Sequence, residues 1–165
     1  MGRLRPFFAD APTYALTVAE PRPVGASSPG VRASMQANRG RDTKPELALR
    51  SAAHALGLRY RVSVRPMRDL RRTADLVFTR ARVAVFLDGC FWHGCETHHT
   101  VSATNAGYWA EKVIRNRERD RETDRVLAEA GWAVVRVWEH EDPIDAAARI
   151  KEVVTANRRA MEVGP

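Results

Sequence analysis

From residue 43 onward the apolar positions follow two rhythms, one of helical and one of strand spacing, and together they predict the order α-β-β-β-loop-α-β-α. Thr43-Lys-Pro-Glu46 reads as a capping box: the Thr43 hydroxyl can accept from an amide of the first turn, Pro45 needs no bonded amide there, and Glu46 can reach back. Behind it Leu47, Leu49, Ala52, Ala53 and Leu56 recur at helical spacing and predict one buried face, with Gly57 suited to the left-handed residue after the last turn. Leu58 to Val64, Ala74 to Phe78 and Val83 to Leu87 are short β-branched or alternating runs separated by arginine-rich turns, and they predict three strands of one sheet. Residues 88 to 107 show neither period and are expected to form a functional loop. Tyr108 to Ala130 is charged and helix-favouring, with Trp109, Val113, Val126, Leu127 and Ala130 as its buried face and Gly131 as its stop. Trp132 to Trp138 predicts a fourth strand. Asp142-Pro143 then opens a last helix, with Asp145 favourable to its dipole, that continues through Ile150, Val153 and Val154.

Ahead of this patterned region the first thirty residues carry no sustained period and five prolines, Pro6, Pro12, Pro21, Pro23 and Pro29. Residues 1–30 are therefore expected to be a disordered or loosely attached leader, and residues 31–165 the folded domain. Residues 32–42 place Arg32, Arg39 and Arg41 around Asn38 and Gly40, which suits an arm that orders on a phosphate backbone and suits a solvated linker almost as well.

Charge narrows the function. Lys and Arg number 27 against 20 acidic residues, a formal charge of +7 and a pI near 10.2, the balance expected of a protein whose partner is a polyanion. Ribosomal and membrane-surface proteins share that balance, so motifs must decide. No apolar run approaches the roughly 18 residues of a membrane helix, and no compact secretory signal opens the chain. The expectation is a soluble cytoplasmic protein that joins the nucleoid by binding DNA. Two cysteines exclude a disulfide framework and leave metal ligation or simple buried thiols.

Cys90, Cys95, His98 or His99, and His140 supply four ligands, enough to close a tetrahedral zinc site stapling the loop to the end of the fourth strand. The competing reading is thiols packed as small apolar groups beside surface histidines. Asp75 sits on a short apolar strand, and another strand ends at Leu87-Asp88, so two strand ends can bring oxygen donors to one Mg²⁺. On local sequence alone, pairing of Asp75 with Arg71, Arg72 or Arg82 is favoured over that metal.

The run Val83-Ala-Val-Phe-Leu-Asp-Gly-Cys-Phe-Trp-His-Gly-Cys95 follows Arg41-Asp-Thr43, Glu46 and Ala74-Asp75-Leu-Val-Phe78. Thr104-Asn105, Tyr108-Trp109, Asn116, Arg119-Asp120, Gly131-Trp132 and Val137-Trp138-Glu139 continue the pattern. In this order, over about residues 32 to 157, the chain resembles the very short patch repair endonucleases, and the Gly-Cys-Phe-Trp-His block is highly specific to them. The resemblance implies an α/β fold of the restriction-endonuclease kind, a mixed central sheet flanked by helices, with a structural zinc site. It implies Asp75 and the Leu87 carbonyl as Mg²⁺ ligands, Glu46 as the carboxylate that orients water, and His93 as the proton-transfer imidazole. A fifth candidate zinc ligand is the alternative for His93, and the capping box is a compatible role for Glu46. Phe91, Trp92 and Trp109 match an aromatic wedge inserted beside the mismatch, with core packing as the alternative and the choice closest for Trp109. Two departures stand out. Leu87-Asp88 replaces a Thr-His of some relatives, so Asp88 either adds a metal carboxylate or replaces a DNA contact, and His140 stands where some relatives have Cys.

The implied activity is Mg²⁺-dependent nicking of duplex DNA on the 5′ side of the thymine of a T:G mismatch, by a monomer. A cytosine-5 DNA methyltransferase is the implied companion, because deaminated 5-methylcytosine produces that mismatch. The rivals are a restriction or phage-defence nuclease of the same fold without mismatch preference, and a zinc-stabilised DNA-binding module without catalysis.

Overall fold

The computed structural model describes residues 41–100 and 105–163; the leader at 1–30 and the arm up to residue 40 lie outside the described residues. The observed order is α1 (Lys44–Ala55), β1 (Arg61–Val64), β2 (Ala74–Phe78), a 3-10 turn at Thr79–Ala81, β3 (Val83–Asp88), α2 (Cys90–His93), α3 (Ala106–Glu129), β4 (Ala133–Trp138) and α4 (Pro143–Val163). The predicted order holds, with one addition. The expected loop at 88–107 opens with a single helical turn, α2, too short for any apolar period to reveal it.

The sheet runs β1-β2-β3-β4. β1/β2 and β2/β3 are antiparallel, while β3 and β4 run parallel, with Val83 opposite Ala133 and Asp88 opposite Trp138. A parallel neighbour requires a crossover, and α2 with α3 supplies it. The β3 run Val83–Phe86 is buried on both sides, as a strand covered on both faces must be. One face packs Leu76, Phe78, Val83, Val85, Val135 and Val137 against Leu49 and Ala53 of α1 and Ala146, Ala147, Ile150 and Val154 of α4. The other packs Ala74, Val77, Ala84 and Phe86 against Leu127 of α3. The result is a mixed sheet between helical layers, as expected.

Local signals gave the helix ends correctly. The Thr43 hydroxyl donates to Glu46 Oε1 at 3.0 Å, and Glu46 Oε2 accepts from the Asp42 amide at 2.9 Å. Asp142 Oδ1 accepts from the amides of Ile144 at 2.8 Å and Asp145 at 3.2 Å. Gly57 and Gly131 take φ of +79° and +76° just after α1 and α3, the left-handed stops predicted for them. The apolar face of α1 needs a correction: Leu47 is 51% exposed, because the buried positions are Glu46, Leu49 and Ala53, and Leu47 lies about 100° round the helix from Glu46. Among the described residues no helix is long and apolar enough to cross a membrane.

Candidate functional site

One end of the sheet gathers the acidic residues. Asp75 stands one step beyond the Leu76–Val85 pair, so its Oδ2 accepts from the Leu87 amide at 2.7 Å across the β2/β3 ladder. This overturns the pairing favoured by local sequence: Asp75 makes no ion pair with Arg71, Arg72 or Arg82, and those three side chains are exposed. Burial pushes the Asp75 carboxyl up to about 6; the Leu87 amide pulls the other way, and the nearby Glu46 charge adds to the push. Glu46, buried at the start of α1, is held by Arg50 Nη2 at 2.7 Å as well as by the capping contacts. A partly buried carboxylate with no cation bonded to it among the described residues, beside a second carboxylate and the end of β3, is a donor set that fits a hard divalent cation. Arg41 is exposed, its Nε 3.8 Å from Asp42 Oδ1.

α2 begins at the end of β3 and projects the chemistry-bearing block. The amides of Trp92 and His93 bond the Gly89 carbonyl, and Gly94 ends the turn at φ +65°. Gly94 is required twice over, because a Cβ there would also lie 2.6 Å from Val113 Cγ1. Side chains of α3 clamp the turn from outside: Asn116 Nδ2 donates to the Trp92 carbonyl at 2.8 Å, Arg117 Nε to the His93 carbonyl at 2.9 Å, and Arg117 Nη2 to the Gly94 carbonyl. Phe91, Trp92 and Trp109 meet edge to face with centroids 5.1 to 5.6 Å apart, each half-buried, forming one aromatic block rather than separate core residues. Lys112 Nζ lies 5.3 Å from the Trp92 centroid and 5.4 Å from that of Trp109.

Cys90 opens α2 and Cys95 follows it, and both cysteines are buried and free. Cys90 Sγ lies 3.1 Å from His140 Nδ1, and Cys95 Sγ lies 3.7 Å from the same atom and 3.9 Å from His98 Nδ1. All four donor atoms fall within 4.8 Å of one another. Ligands at ~2.3 Å for sulfur and ~2.0 Å for nitrogen around one tetrahedral ion stand ~3.3 to 3.8 Å apart, so this donor set fits zinc. Of the neighbouring histidines, His98 lies within the cluster, whereas His99 stacks on Phe91 with centroids 6.0 Å apart. The thiols differ before any ion binds, since burial raises Cys90 to about 11 while the Thr97 hydroxyl bond lowers Cys95 to about 6.

His93 turns away from the cysteines, against its alternative as a fifth zinc ligand. Its Nδ1 lies 2.6 Å from Asp120 Oδ2 and 3.7 Å from Asp88 Oδ1. Asp88, expected either to add a metal carboxylate or to replace a DNA contact, is buried, with both oxygens on Arg136 Nη1 at 2.8 and 2.9 Å. Burial raises the Asp88 carboxyl against the pull of Arg136, whereas at Asp120 the upward push of burial is overcome by the His93 bond together with the charges of Arg136, His93 and Arg119, and the carboxyl is lowered. A polar cavity bordered by Asp88, His93, Asp120, Arg136, Cys95 and His140 links this network to the cysteine cluster.

The sequence profile described as DNA mismatch endonuclease Vsr matches residues 29–99. The type II nicking enzyme V.NaeI of Lentzea aerocolonigenes is 48% identical over 136 residues, covering 81% of this chain and 80% of that protein. The chain belongs to the Vsr family. The DNA mismatch endonuclease Vsr of Escherichia coli strain K12 is 39% identical over 110 residues, covering 64% of this chain and 67% of its own length. The type II nicking enzyme V.XorIIP of Xanthomonas oryzae pv. oryzae is 39% identical over 109 residues, covering 65% and 77%. One of these relatives is named as a DNA mismatch endonuclease and two as type II nicking enzymes, and the segment of this Vsr-family chain that the profile matches contains Glu46, Asp75, Leu87 and His93.

Arg50, Asn116, Arg117, Asp120, Arg136 and Glu139 were assigned no role by sequence reasoning. Arg136 carried a usable signal, as the one charge in the apolar run Ala133–Trp138. Glu139, whose Oε1 accepts from the Cys90 amide at 2.6 Å, carried none, because its partner lies 49 residues away.

Proposed function

We propose that this Vsr-family protein is a Mg²⁺-dependent nickase on a variant of the restriction-endonuclease fold, with a structural zinc. It cuts one strand of duplex DNA on the 5′ side of the thymine of a T:G mismatch. The observation that supports the reading is the conjunction at one sheet end of Asp75, a partly buried carboxylate without a cation bonded to it among the described residues, with a His93 imidazole already oriented by Asp120. Asp75 and the Leu87 carbonyl would hold Mg²⁺, whose chemistry when bound is activation of water and neutralisation of charge growing on the phosphate. Glu46 orients water: its carboxylate is fixed by Arg50, the Asp42 amide and the Thr43 hydroxyl. With Nδ1 engaged by Asp120, His93 moves a proton at Nε2. In the reaction a water oxygen bonds to phosphorus, one P–O ester bond breaks, and the departing sugar oxygen takes up a proton.

Cys90, Cys95, His98 and His140 would hold Zn²⁺ and tie α2 to the end of β4. Phe91, Trp92 and Trp109 would enter the step beside the mismatch, where unstacking costs least. A cytosine-5 DNA methyltransferase is the companion this activity calls for. A second reading, a nuclease of the same fold acting on matched duplex, is favoured by the name type II nicking enzyme that V.NaeI carries. Strand-labelled T:G and T:A duplexes incubated side by side with Mg²⁺ test both: nicking confined to the T strand of T:G is expected, equal cutting of the two favours the second reading, and binding without cleavage sinks both.

A further inference from the structure

The geometry points to Arg136 as a positioning residue that fixes His93 by committing Asp88 elsewhere, so that Asp120 alone receives the imidazole Nδ1–H. The inference rests on the assignment of proton transfer to His93. An imidazole Nδ1 carries one hydrogen and can satisfy one acceptor at a time. Two carboxylates compete for it here, Asp120 Oδ2 of α3 at 2.6 Å and Asp88 Oδ1 at the end of β3 at 3.7 Å. A ring shared between two acceptors would swing, and its Nε2 would have no single direction.

Arg136 removes the competition. The parallel β3/β4 register sets Arg136 opposite Phe86, and its guanidinium carbon lies 5.0 Å from the Phe86 ring centroid, close to Asp88 two residues further along the strand. Nη1 takes both Asp88 oxygens, at 2.8 and 2.9 Å. Nε and Nη2 reach Asp124 at 3.0 Å, and Nη2 lies 3.4 Å from Asp120 Oδ1. One rigid, permanently charged fork thereby joins β4 to the end of β3 and to α3, the two elements whose carboxylates approach His93. Asp120 is left with Oδ1 toward Arg136 and Oδ2 toward His93. The donor atoms of Asp88, His93 and Asp120 are close enough together to suggest a cation site, but the guanidinium already supplies the positive charge and occupies both Asp88 oxygens.

The test is substitution at Arg136 with a second-site change that removes the competitor. Arg136→Gln should lower kcat for nicking a T:G duplex at least thirtyfold, with KM within twofold. Asp88→Asn in that background should recover at least fivefold, because the liberated carboxylate is gone. Arg136→Lys keeps the charge and the stem but cannot fork, so a folded protein about tenfold slower is expected; it serves if Arg136→Gln does not fold. The Nδ1–H proton resonance of His93, recorded without substrate, should be a single sharp signal in the parent, broadened in Arg136→Gln and sharp again in the double variant. A kcat within threefold of the parent for Arg136→Gln overturns the inference, as does an Nδ1–H signal indifferent to both substitutions. A His93→Ala protein as fast as the parent would instead overturn the catalytic reading, and the resonance would then decide the positioning role alone.

Discussion

Asp75 and Asp88 are two carboxylates withdrawn from solvent at the same end of the sheet, and the protein treats them in opposite ways. Asp88 has a guanidinium on both oxygens. Asp75 has one backbone amide and a neighbouring negative charge from Glu46. Burial raises both, yet among the described residues only Asp88 has a cation bonded to it, while Asp75 feels the Arg50 charge without an ion pair. The contrast teaches that burial alone does not mark a reactive group. On the proposed reading, the residue without a bonded cation is the one that would receive an external cation, and the one bonded to Arg136 would hold its neighbours in place.

The largest expected effect separates the two directly. Asp75→Asn should reduce nicking of a T:G duplex by more than a thousandfold, on the order of 4 kcal/mol, while DNA affinity stays within about threefold. Retention of more than about a tenth of the parental rate would break the comparison at its root. Cys95→Ala tests whether the neighbouring cluster is equally dependent on an ion: it should abolish zinc retention, one per chain in protein purified without added zinc, and destabilise the fold by about 3 kcal/mol or more. Unchanged melting would return the cysteines to simple core packing. Asp88→Ala should lower stability by about 2 kcal/mol in urea titrations, because Arg136 loses one partner but keeps Asp124.

The fourth effect has the opposite sign. The folded-state pKa of Asp75 is raised to about 6 from an ordinary value near 3.9, so the native state binds the proton more tightly than the unfolded chain. Stability from that group is therefore complete below about pH 4 and is lost as the pH rises through about 6. In magnesium-free buffer Asp75→Asn should stabilise the protein by about 1 to 2 kcal/mol above pH 6, a gain that vanishes near pH 4. A variant destabilised across that range would show that Asp75 is a compensated group after all. Trp92→Ala touches neither carboxylate and should sharpen the comparison by sparing both: the fold persists, and the ratio of nicking on T:G over T:A falls about fivefold, about 1 kcal/mol of stacking. An unchanged ratio would place discrimination outside the aromatic block.

Much of the fold was legible because its signals are local. The Thr43 and Asp142 caps, the stops at Gly57 and Gly131 and the four strands depend on residues within a turn or a strand of one another. Errors arose where a local rule met a tertiary decision. Leu47 satisfied helical spacing yet faces solvent, and α2 is one turn set by Gly89, Gly94 and the clamp from α3 rather than by any period. The candidate site divides in the same way. Its residue types and their order along the chain were readable, and the family resemblance attached expected roles to them. Partners were not readable, because His93 meets Asp120 across 27 residues, Asp88 meets Arg136 across 48 and Cys90 meets His140 across 50. Amino-acid sequence by itself determined the elements, the donor types and the charge, which are properties of neighbouring residues. Tertiary structure alone chose His98 over His99, left Asp75 without the arginine that local sequence favoured, and gave Asp88 to Arg136. The physical reason is that desolvation and hydrogen-bond geometry depend on distances through space, and the parallel pairing of β3 with β4 set those distances when it brought chain segments roughly fifty residues apart into register.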